Sequence, residues 1–277
     1  MSIEQIIVLA LVQGITEFLP ISSSGHLILI PAFTGWPDQG QVADVMVHVG
    51  SLFAVIVYFW RDVIKLVKGG IDLLRLRMND NSRMALYILL ATIPAVAFGL
   101  FLKKSGIADN LRSVELIAWN AIIFGILMYL ADRFGPSLKR MEDMKLPPAL
   151  IIGIAQAMAL IPGTSRSGIT MTAARFLGFE RPEAARFSFL LGIPAIAGAG
   201  ALVTLEVLDA GHSISSDAIW AAVLTFFSAL AAIAFLMAVV KRTTFTVFVI
   251  YRLILAFVLF AMLYQWIPGL PALANAG

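Results

Sequence analysis

Glu17 stands in the run Gln13-Gly14-Ile15-Thr16-Glu17-Phe18-Leu19-Pro20, and Ser22, Ser23, Ser24 and His26 follow it closely. A carboxylate can ligate a divalent cation or move a proton, and a serine hydroxyl or an imidazole can attack an electrophile or assist the attack. Gln13 lies one helical turn before Glu17, so the two can share a helix face. Far along the chain, Pro162-Gly163-Thr164-Ser165-Arg166-Ser167-Gly168-Ile169-Thr170 offers a complementary set. Glycines permit tight backbone, amides at the start of the following helix point one way, the hydroxyls of Thr164, Ser165, Ser167 and Thr170 add donors, and Arg166 supplies a planar guanidinium fork. That is equipment for holding a phosphate. Held by Arg166 alone, a phosphate needs no carboxylate beside it; Glu17 and His26 next to one make sense where a bond is cleaved. Plainer roles exist for each: Arg166 snorkelling to a polar boundary, Glu17 as its structural ion-pair partner, and His26 as a capping imidazole.

Composition sets the medium around these residues. Of 277 residues, 60% are hydrophobic and 13% charged, about half the roughly 25% of an ordinary soluble domain. Mean hydropathy is +0.91. One core cannot hide that apolar surplus, so a soluble domain is excluded. Residues 84–102, 187–205 and 218–240 carry no charge, and each approaches the roughly 20 residues that span hydrocarbon. Residues 45–60, 113–131 and 245–267 are further candidate spans, containing His48, Glu115 and Arg252 respectively. Glu4 stands where a signal peptide would carry Lys or Arg, so no cleaved segment is expected. The absence of cysteine removes disulfides, thiolate metal sites and cysteine nucleophiles.

Basic residues orient such a chain. The stretch from Arg61 to Arg83 is expected as an inside loop, as are residues 132–146 and the Lys241-Arg242 pair; Pro31 to Ala43 and 208–217 carry no Lys or Arg and are expected outside. Lys103, Lys104 and Arg112 fit this orientation least well. Nucleic-acid binding has no support, because these charges sit in short loops at membrane edges.

Residues 5–30 and 150–177 do not suit ordinary spans. The first places Gln13, Glu17, Pro20, serines, Gly25 and His26 in mid-run, and the second places Gln156, Pro162, Gly163 and Arg166 there. A carboxylate deep in a bilayer costs several kcal/mol unless it faces a cavity or a partner, and Pro and Gly loosen the helix where the hydroxyls sit. At a constant offset of 143, Gln13 matches Gln156, Ser22 matches Ser165, Ser24 matches Ser167 and Gly25 matches Gly168. This indicates an internal duplication, with repeat one over about 1–131 and repeat two over about 147–267 of a single transmembrane domain, 1–277. Three candidate spans between the copies invert the second relative to the first. The expected fold is therefore all-α, a polytopic integral membrane protein with inverted-topology repeats and two re-entrant helix-loop-helix hairpins whose polar tips meet near the midplane. Such tips are tolerated where buried in protein or lining a wet cavity. Kinked full spans are the alternative.

Other polar residues carry weaker signals. His48 is expected to hydrogen-bond a neighbouring helix. Arg175 and Arg186, in two Ala-Ala-Arg-Phe copies, suit an interfacial connector. Glu206, Asp209, His212 and Asp217 suit solvated positions, and Gly192, Ala195, Gly198 and Gly200 suit a close helix–helix surface. Arg252 is flanked by apolar residues and can pair internally.

Together the two motifs resemble those of the bacterial undecaprenyl-diphosphate phosphatases of the bacitracin-resistance type, with length and hydropathy fitting nearly the whole chain. The family pattern takes an acidic or amide residue four before a glutamate; Gln13 fills that position here and leaves Glu17 the only carboxylate of the pair. The resemblance implies a bacterial inner-membrane enzyme that hydrolyses a C55 polyprenyl diphosphate to the monophosphate, recycling the carrier lipid for peptidoglycan synthesis and conferring resistance to bacitracin, which competes by binding the substrate. Carried over by position, it implies Glu17, Ser23, His26 and Arg166 as catalytic, with Gln13, Ser22, Ser24, Gly163, Thr164, Ser165, Ser167, Gly168 and Thr170 around the phosphates. A divalent cation, Mg or Ca, with Glu17 as ligand, is likewise implied. The nucleophile stays open between Ser23, His26 and water, and the oligomeric state between monomer and homodimer. A secondary transporter or lipid flippase is the rival, since inverted repeats with broken helices are also a transporter design.

Overall fold

A computed structural model of the chain describes residues 1–37, 40–107, 111, 113–209 and 215–267, with backbone only at 24, 28, 32, 41 and 206–208. Arg112, His212 and the Glu206 side chain lie outside the described residues. The described residues form eleven α-helices and one 3₁₀ turn, Met141–Asp143. In chain order the helices are α1 (Ile3–Phe18), α2 (Ser23–Thr34), α3 (Gly40–Tyr58), α4 (Trp60–Leu74), α5 (Asp80–Ser105) and α6 (Val114–Phe134). After the 3₁₀ turn come α7 (Leu146–Met158), α8 (Arg166–Phe176), α9 (Arg181–Asp209), α10 (Ser216–Val240) and α11 (Thr246–Leu263).

Local sequence sets the boundaries. Ser2 and Gln5 form a capping box at the start of α1, and Asn79 with Ser82 forms another before α5; each satisfies amide donors that a helix start leaves free. α5 stops at Gly106, which takes φ 69°, a conformation glycine adopts without steric cost. Lys103 and Lys104 fall in its last turn, where the carbonyl end of the helix dipole favours cations. That gives the pair a local reason independent of membrane orientation.

Five helices, α5, α6, α9 over Arg181–Leu205, α10 and α11, are long and apolar enough to cross a bilayer, and α3 with α4 qualifies as a bent pair. The chain is a multi-pass, all-α membrane protein. The bend between α3 and α4 is 91°, so the expected loop after Arg61 begins instead as a helix. Trp60, Ile64, Val67 and Ile71 form an exposed apolar stripe along it, beside Arg61, Lys65 and Lys68. A basic helix with such a stripe suits the plane of a membrane interface.

Packing exchanges partners between the two halves. α1 packs on α10 and α7 packs on α5, while α3 packs on α10 and α6 on α11. Gly50 lies directly against the Ala222 backbone, and Gly153 against that of Ala91, the close approach that small residues give helices in lipid.

Arg175 and Arg186 depart from the connector expectation because carboxylates distant in sequence meet them. Arg175 is 1% exposed; its Nε donates to Asp132 Oδ1 at 3.2 Å and its other N–H groups donate to the carbonyls of Asp132, Gly135, Pro136 and Phe179. Arg181 Nε donates to the same Oδ1 at 2.6 Å, and the Phe245 amide donates to Oδ2 at 2.9 Å. Asp132 thus gathers the ends of α6, α8, α9 and α11. Arg186 donates twice to Asp62, at 2.5 and 3.1 Å, and pins α9 to α4. Asp217 accepts from the amino terminus at 2.7 Å, and Asp209 is exposed.

Candidate active site

Both segments that looked unsuited to a span are broken. α1 ends at Phe18 and α2 begins at Ser23; α7 ends at Met158 and α8 begins at Arg166. Each second helix is capped by a serine in the left-handed half of backbone space: Ser22 at φ 76°, accepting from the Gly25 amide at 3.4 Å, and Ser165 at φ 72°, accepting from Gly168 at 3.1 Å. A non-glycine residue held there costs about 1–3 kcal/mol, a strain that gathers at functional sites. Ser22 and Ser165 are positions matched by the 143-residue offset.

The two tips touch. Arg166 Nη2 donates to Glu17 Oε1 at 3.0 Å, and Ser167 Oγ donates to the Leu19 carbonyl at 3.1 Å. Glu17 is buried, and its other oxygen accepts from Ser23 Oγ at 2.7 Å and from Gln13 Nε2 at 3.1 Å. The ion-pair geometry raised as a plain alternative for Glu17 is therefore present, but its surroundings are a cavity rather than packed core. A void of about 430 Å³ is lined on its polar side by Glu17, Ser22, Ser23, Asp44, His48, Gln156, Ser165 and Arg166. Its apolar lining comes chiefly from α9, through Ala195, Ile196, Ala199, Gly200 and Val203, with Val45, Ala95, Ala159 and Leu160 adding to it.

The remaining sequence-selected residues divide between lining and support. Gly163 takes φ 87° at the turn, and Gly168 lies under the Ser165 cap. Thr170 is fully buried; its hydroxyl meets Ser188 Oγ at 2.6 Å and the Arg166 carbonyl at 2.8 Å, so it braces the second tip from behind. Thr164 is also fully buried, with its hydroxyl unpaired. The Ser24 side chain lies outside the described residues. His26 is turned away from the cavity: Nδ1 donates to the Ser22 carbonyl at 2.6 Å, and Nε2 lies 2.6 Å from the Tyr251 hydroxyl on α11.

Several residues enter that sequence reasoning missed or placed elsewhere. His48 Nδ1 donates to the Asp44 carbonyl at 2.7 Å within its own helix, rather than to a neighbour, and its Nε2 lies 3.8 Å from Glu17 Oε2. Gln156 is buried with no partner for its amide, and Gln13 Oε1 is likewise unpaired. Gly192 makes room for Arg166: a Cβ there would run into the guanidinium. The close-packing expectation for this stretch is overturned, since a Cβ at Gly198 or Gly200 would meet open space. These small residues face volume left open along α9. The 143 offset carried a signal for Gln156, through Gln13; His48 was visible as a lone imidazole on a span, but nothing in the sequence placed it beside Glu17.

Carboxylate and hydroxyl oxygens, the unpaired Gln156 amide and a guanidinium thus converge on one open cavity next to an apolar wall. That combination can hold a phosphate at the end of an apolar substituent. Comparison with known proteins agrees. The family model described as Bacitracin resistance protein BacA matches residues 6–258. A protein named undecaprenyl-diphosphatase from Erythrobacter litoralis is 50% identical, over 94% of this chain and 99% of the relative. Proteins of the same name from Jannaschia sp., 50% identical over 95% of this chain and 100% of the relative, and Teredinibacter turnerae, 48% identical over 94% and 99%, are similar throughout. The chain belongs to the bacitracin resistance protein BacA family.

Proposed function

We propose that this protein hydrolyses undecaprenyl diphosphate to undecaprenyl phosphate and inorganic phosphate in the bacterial inner membrane, recycling the carrier lipid for peptidoglycan synthesis. The observation that carries the proposal is the Arg166–Glu17–Ser23 chain, at 3.0 and 2.7 Å, in a cavity walled by apolar α9. Arg166 holds the terminal phosphate through the N–H groups facing the cavity. Ser23 Oγ attacks the terminal phosphorus as Glu17 accepts the hydroxyl proton, the bridging P–O bond breaks and undecaprenyl phosphate leaves; water then hydrolyses the phosphoserine, freeing inorganic phosphate and Ser23. His26 supports this by fixing the first tip to Tyr251. The diphosphate head enters the polar end, and the polyprenyl chain lies along α9.

A divalent cation, Mg or Ca, belongs to this proposal. Gln13 Oε1, buried and unpaired, and Glu17 are the oxygen donors that would hold it, and the described residues contain no cluster of three or more His, Asp or Glu that would bind it without substrate. Bound there, it would neutralise diphosphate charge, the usual service of a cation that shares its shell with phosphates.

The inverted-repeat arrangement with re-entrant tips is part of the same reading. The matched capping serines share their backbone conformation, and α1 and α7 exchange packing partners between halves. At 1.5 Å rise per residue, α1, α2, α7 and α8, with 16, 12, 13 and 11 residues, reach only about 16–24 Å, short of the roughly 30 Å hydrocarbon layer. Bacitracin, in this reading, acts by sequestering the lipid substrate, and a homodimer is compatible with the exposed helix faces.

Purified protein in detergent, without a gradient, should release one phosphate per undecaprenyl diphosphate, lose that activity in EDTA and regain it with Mg or Ca. Transport of the lipid in vesicles without phosphate release would replace the phosphatase with a flippase. A second result is expected at α9. Gly192→Ala should displace the Arg166 fork and cut kcat/KM by about 10²-fold, the scale for an ångström of misplacement, without changing the unfolding temperature. Unchanged turnover would show that Arg166 does not need this room.

A further inference from the structure

Arg252 is buried at 1% exposure in the middle of α11, and among the described residues no carboxylate meets it. All five of its hydrogen bonds go to main-chain carbonyls: Nε to Ala121 at 3.1 Å, one terminal nitrogen to Pro20 at 3.3 Å and Thr164 at 3.1 Å, the other to Asn120 at 3.0 Å and Gly163 at 2.9 Å. Pro20 belongs to the first tip; Gly163 and Thr164 belong to the second. Pro20 and Gly163 are also matched positions under the 143-residue offset, so one side chain caps equivalent carbonyls in both broken helices. A broken helix leaves carbonyls without intrahelical donors, and in lipid these must be satisfied by protein. Asn120 adds to the joint: its side-chain amide donates to the Pro162 carbonyl at 2.8 Å while its carbonyl receives Arg252.

From this geometry we infer that Arg252 is a positioning residue for the reaction, fixing the register of the two tips so that Glu17 and Ser23 from one and Arg166 from the other face the same phosphate. It touches no atom that reacts. Its planar fork matters as well as its charge, because the carbonyls it serves come from three segments and diverge from one point. Lysine offers a compact ammonium on a flexible stem and cannot reach them all. The inference rests on the phosphatase reading given above.

The test compares Arg252→Lys and Arg252→Met with wild type on undecaprenyl diphosphate in detergent, with rates expressed per molecule in the monodisperse folded peak. Displaced tips predict kcat lower by about 10²-fold in folded Arg252→Lys, the scale of a misplaced catalytic group, with KM within about threefold, and a larger loss for Arg252→Met. A purely structural role predicts a smaller folded peak whose molecules retain wild-type kcat and KM, and that result overturns the inference. If Arg252→Met gives no folded peak, Arg252→Lys alone decides between these outcomes. Should wild type itself release no phosphate, the phosphatase reading fails, and the comparison turns to tip register: double electron–electron resonance between single cysteines placed in the two tips of this cysteine-free chain. A wild-type distance distribution in Arg252→Lys then overturns the inference, and a broadened or shifted one supports it.

Discussion

Arg166→Ala will lower the rate of phosphate release by about 10²–10³-fold, the penalty seen when one pre-placed donor to a charged transition state is removed. Arg166 is the one cation among the described residues lining the cavity, and its position is over-determined: Nη2 bonds Glu17, Nη1 donates to the Ser188 carbonyl at 3.3 Å, and Gly192 leaves its space. Glu17→Gln should give a loss of similar size by a different route. The amide oxygen can still accept from Arg166 and the amide NH2 can donate to the Ser23 hydroxyl in place of the second carboxylate oxygen, so the tip keeps its shape, but the amide cannot take the Ser23 proton. Arg166→Lys should recover only part of the rate, because a point charge replaces a fork. Steady-state release of phosphate, with folded protein verified by size exclusion, checks all three. Turnover near wild type in either single variant would remove that residue from the mechanism.

Asp132→Ala will produce the largest loss of stability. The carboxylate accepts from Arg175, Arg181 and the Phe245 amide, and Arg175 is too deeply buried to find water in its place. Removing one partner of a buried pair leaves an uncompensated charge, which costs about 3–5 kcal/mol. Arg181→Ala removes a partly exposed partner and should cost about 1 kcal/mol or less. Thermal unfolding in detergent, followed by loss of the monodisperse peak, compares the two. Equal shifts would mean that the Arg175 guanidinium is not held by Asp132.

How far the site could be seen in the sequence depended on contrast with the surroundings. Glu17 and Arg166 stood out because a charge inside an apolar run must be explained, and Pro20, Gly163 and the serines marked where the helices break. The matched capping serines came from the offset alone. His48 was legible only as an isolated imidazole on an apolar span, a pattern that more often satisfies its own helix; it does so through Asp44, yet its other nitrogen faces Glu17. Gly192 was grouped with neighbours whose spacing suits helix packing, and no spacing reports that the space belongs to an arginine elsewhere in the chain. Arg252 and Arg175 illustrate the same limit. Arg252 was visible as a cation flanked by apolar residues and Arg175 only as part of a connector, and their partners are carbonyls and a carboxylate set by tertiary packing. The spans were legible throughout because lipid demands long apolar runs; α4 was not, because its Lys and Arg residues hid an exposed apolar stripe at helical spacing.

The central claim is that Glu17 of one tip and Arg166 of the other act together on one phosphate. Its most direct measurement is a double-mutant cycle on phosphate release from undecaprenyl diphosphate, comparing Glu17→Gln, Arg166→Ala and the double variant with wild type. Groups acting as a unit give strongly non-additive losses. The double variant is expected within about threefold of the slower single variant; single losses that multiply in full would contradict a shared site.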